Sequence, residues 1–184
     1  MPDGMLGLRG TPVLTVPNLI TLARLCAVPF AVWLVLRGHL AAAFALFVAA
    51  AVSDALDGWL ARRGGGSPLG AMLDPAADKL LLVCMFVTLA AVQVLPDWIA
   101  ILVVFRDVLI VGGVVLLWLT GAPPRIRPIL VSKVNTALQL VLVGAALAWA
   151  AFGEPGAVVV SVLVWATAAT TVASGAAYVA GRVR

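Results

Sequence analysis

The sequence predicts an all-α integral membrane protein of about six transmembrane helices with a polar cavity open to the cytoplasmic side. Three observations predict it. Of 184 residues, 64% are hydrophobic and 11% charged, whereas soluble domains carry roughly 45–50% apolar and about 25% charged residues. A chain so composed has too little polar surface to cover itself in water. Apolar stretches of spanning length alternate with short turn compositions, and the basic residues gather at alternate turns.

Residues 1–16 form an N-terminal juxtamembrane segment, where Leu6, Leu8 and Arg9 suit either a short interfacial amphipathic helix or an unordered terminus. Residues 17–184 contain six apolar stretches. The first, Leu19 to Leu36, closes at Arg37-Gly38-His39, and the second, Leu40 to Leu60, runs into Arg62-Arg63-Gly64-Gly65-Gly66-Ser67-Pro68. Leu69 to Val94 ends before Pro96-Asp97, and Trp98 to Leu119 ends before the segment from Gly121 to Pro128. Ile129 to Phe152 stops at Gly153-Glu154-Pro155-Gly156, and Ala157 to Ala180 is the last. Glycine and proline clusters are turn signals. A membrane helix uses about 20 residues, and in lipid every backbone amide needs an internal partner, so each stretch is expected to be a helix. Small residues from Ala41 and from Ala166 onward predict close helix packing.

Cys26 and Cys84 each stand singly in an apolar run and read as small buried hydrophobes, without disulfide or metal-ligand spacing. The first apolar run leads into further apolar runs, which argues against a cleaved signal peptide. With a cytoplasmic N-terminus, that side receives Arg9, Arg62, Arg63, Arg125, Arg127, Arg182 and Arg184, while Arg37, Asp97 and Glu154 lie opposite. Both termini are therefore expected inside a multi-pass protein. The short chain, with no targeting presequence read in it, points to the bacterial cytoplasmic (inner) membrane. The net charge of +4 faces anionic lipid rather than nucleic acid. His39 reads as solvated, Trp98, Trp118 and Trp149 as interfacial anchors, and Met72 and Met85 as packing.

Carboxylates carry the chemistry. Of eight acidic residues, Asp54, Asp57, Asp74 and Asp78 fall in one 25-residue window, and Asp107 is a fifth at membrane depth. A carboxylate there is costly and by default functional. Asp54 and Asp57 are three apart and Asp74 and Asp78 four apart, so each pair shares a helix face, which Ala61 and Gly70 extend. The glycine-rich loop between them predicts an antiparallel hairpin that brings the two faces together. Asp54 lies eight residues before Arg62, roughly 12 Å along the axis, which puts the cavity in the cytoplasmic half. Clustered carboxylates need a counter-charge. Two Mg²⁺ or Mn²⁺ ions supply it, since hard cations suit oxygen sites and bridge to phosphates. Gly58, Ala61 and Gly70 leave room for a nucleotide, and Arg62 can pair with phosphate as a fork.

The string Asp54-x2-Asp57-Gly58-x2-Ala61-Arg62-x7-Gly70-x3-Asp74-x3-Asp78 resembles the signature of the CDP-alcohol phosphatidyltransferases. Pro17-Asn18 with Thr21 and Arg24 resembles that family's first-helix start, near the nucleotide. The resemblance implies a six-helix transmembrane domain over residues 17–184, typically homodimeric, with an active-site cavity on the cytoplasmic side. It implies Asp54, Asp57 and Asp74 as metal ligands, and Asp78 as a further ligand and as the general base for the acceptor hydroxyl. Asn18, Asp57, Gly58, Ala61, Arg62 and Gly70 would hold the CDP-lipid. The acceptor oxygen would attack the β-phosphate, and CMP would leave.

Phe105-Arg106-Asp107-Val108-Leu109, the run from Val131 to Leu140, and Leu73 to Lys79 resemble the family's cardiolipin synthases. This implies CDP-diacylglycerol and phosphatidylglycerol as substrates, among membrane lipids. The alternative is phosphatidylglycerophosphate synthase, with glycerol 3-phosphate as acceptor. Arg106 and Lys133 are the acceptor-binding candidates. Lys133 is near a helix start, where the dipole disfavours a cation, so a ligand role accounts for it. Arg106 lies deeper and suits pairing with Asp107 equally well. Arg125 and Arg127 read as positive-inside anchors, and Lys79 as charge balance. A transporter is a remote alternative that would need carboxylates spread along a route across the bilayer. A purely structural protein would leave them uncompensated.

Overall fold

The computed structural model describes the backbone of residues 16–61, 68–119 and 130–180, and side chains chiefly over 23–54, 79–113 and 131–178. Among the described residues there are six helices and no strand: α1 (Val16–Leu36), α2 (Leu40–Ala61), α3 (Pro68–Ala91), α4 (Asp97–Leu119), α5 (Leu130–Phe152) and α6 (Ala157–Ala180). The expected apolar stretches return nearly residue for residue. Residues 1–15, with Arg62, Arg63, Arg125, Arg127, Arg182 and Arg184, lie outside the described residues.

Helix ends follow local chemistry. α1 closes with Gly38 at φ 75°. There the Gly38 amide donates to the Val35 carbonyl (3.0 Å) and the His39 amide to that of Leu34 (2.9 Å), the pattern that satisfies terminal carbonyls. α3 ends at Ala91, not at Val94 as its apolar run suggested. Gln93 takes the left-handed position at φ 61°, and the Val94 amide donates to Leu89 (2.9 Å). Val94 and Leu95 are apolar because they pack on the core after the helix has stopped.

α1 packs on α2 and α3, α5 on α2 and α6, and α4 on α3 and α6, so the helices follow the cyclic order α1–α2–α5–α6–α4–α3. α3 also reaches α5 across the centre. The turn of the expected hairpin, with the side chains at 55–61 and 68–78, lies outside the described residues; α1 and α5 each pack against both α2 and α3. The buried stripe of α1 explains the bridging. Arg24, Val28, Ala31 and Val35 recur at helical spacing and all face inward. Cys26 falls off that stripe and is exposed, and Cys84 is half-buried, so neither is the buried hydrophobe expected.

The bundle has a dry half and a polar half. Phe47, Met85, Phe86, Leu89, Ile99, Leu142 and Leu147 fill the half next to the turns at 37–39, 92–96 and 153–156. Met85 is fully buried, as a packing residue should be. Trp149 is partly buried and packs against this core. Trp98 is exposed, 5.2 Å from the Trp165 ring, and His39 is exposed beside Trp33. Arg24, Arg106, Asp107, Asn135, Thr171 and Ser174 are among the buried polar groups described in the opposite half. The outward faces carry large apolar side chains such as Phe30, Ile101, Val158 and Trp165. Two described segments, Val131–Phe152 and Ala157–Tyr178, are long and apolar enough to cross a membrane.

Candidate active site

The signature positions fall on two helices that open into the polar half. Positions 54, 57, 58 and 61 occupy the end of α2, and 70, 74 and 78 the beginning of α3. Of the four candidate aspartates, Asp54 has a described side chain. The side chains at Asn18, Asp57, Gly58, Ala61, Gly70, Asp74 and Asp78 lie outside the description, as does Arg62 altogether.

A cavity of about 400 Å³ opens where α2, α3 and α5 meet, within the usual range of small-ligand sites. Ala50, Ala51 and Asp54 form its α2 wall, and Leu81 and Leu82 its α3 wall. The α5 wall presents Ser132, Lys133 and Thr136, then the apolar Ala137 and Leu140 one turn deeper. The polar groups thus stand at the end of the cavity nearest the signature positions, and the apolar ones towards the dry core. Small residues on α2 make the room: alanine leaves space that a larger side chain at 50 or 51 would fill.

Asp54 and Lys133 give the two walls opposite charge. Asp54 Oδ1 accepts from Arg24 Nη1 at 3.2 Å, with the arginine side chain 2% and the aspartate 44% exposed. A guanidinium so buried requires a carboxylate, while Asp54 remains open to the cavity. Its hard oxygens suit a divalent cation. Lys133 is exposed, and no carboxylate pairs with it among the described residues. A phosphate could therefore meet a cation on one wall while a cation meets Asp54 on the other.

Behind the α5 wall lies a buried ionic knot. Arg106 Nη1 donates to Asp107 Oδ1 (2.7 Å), and Nη2 donates to Ser132 Oγ (2.9 Å) and Ser174 Oγ (2.6 Å). Lys79 Nζ reaches the same Asp107 oxygen at 2.5 Å. Arg106 does not line the cavity. It touches the cavity's edge through Ser132. Further along the α5–α6 interface, Asn135 Oδ1 accepts from Thr171 (2.8 Å) and Thr170 (3.0 Å). Sequence reasoning missed Arg24 as the partner of Asp54, and Ser132 and Ser174 as partners of Arg106. The available signal was the cost of a lone arginine in an apolar helix, but it does not say which hydroxyls answer it.

The family model for CDP-alcohol phosphatidyltransferases matches residues 14–173. A rice (Oryza sativa subsp. japonica) protein named CDP-diacylglycerol–glycerol-3-phosphate 3-phosphatidyltransferase 1, chloroplastic, is 36% identical over 90% of this chain and 56% of its own length. The Homo sapiens cardiolipin synthase (CMP-forming) is 32% identical over 96% of this chain and 66% of its own. The Streptomyces coelicolor cardiolipin synthase (CMP-forming) is 42% identical over 61% of this chain and 55% of its own. The chain thus spans between about half and two thirds of the length of these relatives.

Proposed function

Because the chain belongs to the CDP-alcohol phosphatidyltransferase family, we propose that it is a cardiolipin synthase, transferring phosphatidyl from CDP-diacylglycerol to phosphatidylglycerol. The observation that carries this reading is the cavity with Asp54 on one wall and, on the other, Lys133, which no carboxylate pairs among the described residues. Relatives named cardiolipin synthase support that acceptor. The rice relative's name supports a second reading, phosphatidylglycerophosphate synthase, with glycerol 3-phosphate in place of phosphatidylglycerol. Both acceptors are anionic, so Lys133 suits either.

The acceptor's hydroxyl oxygen attacks the phosphorus that bears the diacylglycerol ester. A P–O bond to the acceptor forms as the bond from that phosphorus to the bridging oxygen breaks, and the bridging oxygen leaves with CMP. Asp78 takes the hydroxyl proton. Asp54, Asp57 and Asp74, with Asp78 as a further ligand, are an all-oxygen set suited to two Mg²⁺ or Mn²⁺ ions, and the open carboxylate of Asp54 fits that role. When bound, such ions supply charge neutralisation for the pyrophosphate. Asn18, Asp57, Gly58, Ala61, Arg62 and Gly70 hold the CDP moiety. Lys133 takes the acceptor's phosphate, and Arg106 adds positive charge behind it. Substrates of this kind are lipids. In this reading residues 17–184 form a six-span membrane domain, with 1–16 at its edge and both termini and the cavity mouth on the cytoplasmic side of a bacterial inner membrane, as a homodimer. The apolar outward faces and the two helices of spanning length support that arrangement.

Asp78→Asn tests the chemistry directly. Loss of the base should cut CMP release by about 10²–10⁴-fold while Mg²⁺-dependent CDP-lipid binding persists. Near-normal turnover would remove Asp78 as the base.

A further inference from the structure

We infer that Asp107 is a positioning residue that holds the two sides of the cavity in register by sharing its carboxylate between two cations, an inference resting on the transferase reading above. Asp107 Oδ1 meets Lys79 Nζ at 2.5 Å and Arg106 Nη1 at 2.7 Å. Lys79 directly follows Asp78 on α3. Arg106 carries the link to α5 through Ser132, 2.9 Å from Nη2, and Ser132 directly precedes Lys133. Ser174 on α6, 2.6 Å from the same nitrogen, closes the other side of the guanidinium. One carboxylate on α4 therefore ties the turn carrying the proposed base to the turn carrying the proposed acceptor cation. Asp107 itself stays out of the cavity.

Stability alone does not account for this arrangement. A buried ion pair is weak evidence for stability, because apolar residues of similar volume often do as well, and the exposed side of this one, Lys79 at 41%, contributes little. What apolar residues could not supply is direction. The guanidinium has fixed donor geometry, and with Asp107 on one nitrogen and two serines on the other its plane is set against α5 and α6. The same carboxylate holds Lys79 and Arg106 away from the cavity. Among the described side chains of its lining, Lys133 is then the cation left to meet substrate. Reaction geometry is sensitive to small displacements, since a misplacement of about 1 Å can cost about 10²-fold in rate.

The test uses the purified full chain, with CMP release measured while CDP-diacylglycerol and the anionic acceptor are varied separately. Thermal unfolding in the same detergent accompanies each variant. Asp107→Asn should lower kcat/KM for the acceptor by about ten- to hundred-fold, leaving KM for CDP-diacylglycerol unchanged. It also leaves the buried Arg106 guanidinium without its carboxylate, so its unfolding temperature should fall, and Lys79→Met is the variant that separates positioning from stability. Asp107→Glu, which keeps the charge one methylene further out, should restore part of the loss. Lys79→Met changes a half-exposed side chain without threatening the fold and should give a smaller loss of the same kind. Wild-type kinetics in both Asp107→Asn and Lys79→Met would overturn the inference. So would losses that fall equally on both substrates and track the unfolding temperature, the mark of a merely structural pair. No CMP release by the wild type with either acceptor would instead overturn the parent reading, and this inference with it.

Discussion

Arg24 and Asp54 divide between them the requirements of a buried charge and an open ligand. The guanidinium, 2% exposed, cannot be hydrated, and Asp54 answers it with Oδ1 while staying 44% exposed. Lys133 on the facing wall has no such partner among the described residues. A hydrogen bond to a charged group is worth about 1.5–3 kcal/mol, so Lys133→Met should raise KM for the anionic acceptor by about ten- to hundred-fold. Its kcat for CMP release and its unfolding temperature should stay near wild type, because the side chain is exposed. Steady-state kinetics with an unchanged acceptor KM would contradict the assignment. The carboxylates were legible in the sequence because charge in an apolar helix is costly enough to demand a reason. Their partners were not. Arg24 and Asp54 are 30 residues apart, and Arg106 and Ser174 are 68 apart, and no local spacing says which faces meet.

Helix ends show the same division between local and distant causes. Gly38 at φ 75° sits where a residue with a Cβ is strained by roughly 1–2 kcal/mol, and nothing lies within 4 Å of the position that Cβ would take. Gly38→Ala should therefore destabilise by about 1–2 kcal/mol through backbone strain alone, with turnover per folded molecule unchanged. Thermal or denaturant unfolding checks it, and wild-type stability would contradict the account of the α1 terminus. That end was readable because glycine after an apolar run is the ordinary sign of a left-handed cap. The end of α3 was not, because Gln93 does the same work and glutamine carries no such sign. Its side chain helps hold the turn, with Nε2 donating to the Ala90 carbonyl at 3.1 Å and to Asp97 at 3.3 Å. Val94 and Leu95 then prolong the apolar run for tertiary reasons, since Leu95 is 2% exposed.

At the scale of the whole molecule, the six described helices alternate so that polar helix ends collect in one half and apolar ends in the other. The sequence displayed that separation through the placement of Asp54, Lys79, Arg106, Asp107 and Lys133 against long uncharged runs elsewhere. It also displayed all six helices, since breakers interrupt each apolar stretch. It did not display the ring order. Pairs such as α1 with α3 and α2 with α5 are not joined by a turn, so no local signal announces them, and the cavity opens where α2, α3 and α5 meet. The central claim is that this cavity transfers phosphatidyl from CDP-diacylglycerol to an anionic lipid alcohol. The most direct test gives purified protein labelled CDP-diacylglycerol and Mg²⁺ or Mn²⁺, with phosphatidylglycerol and glycerol 3-phosphate in separate reactions. The account predicts labelled cardiolipin and CMP with phosphatidylglycerol alone. Product from glycerol 3-phosphate alone would replace the acceptor and keep the site, and no CMP release with either would contradict the account.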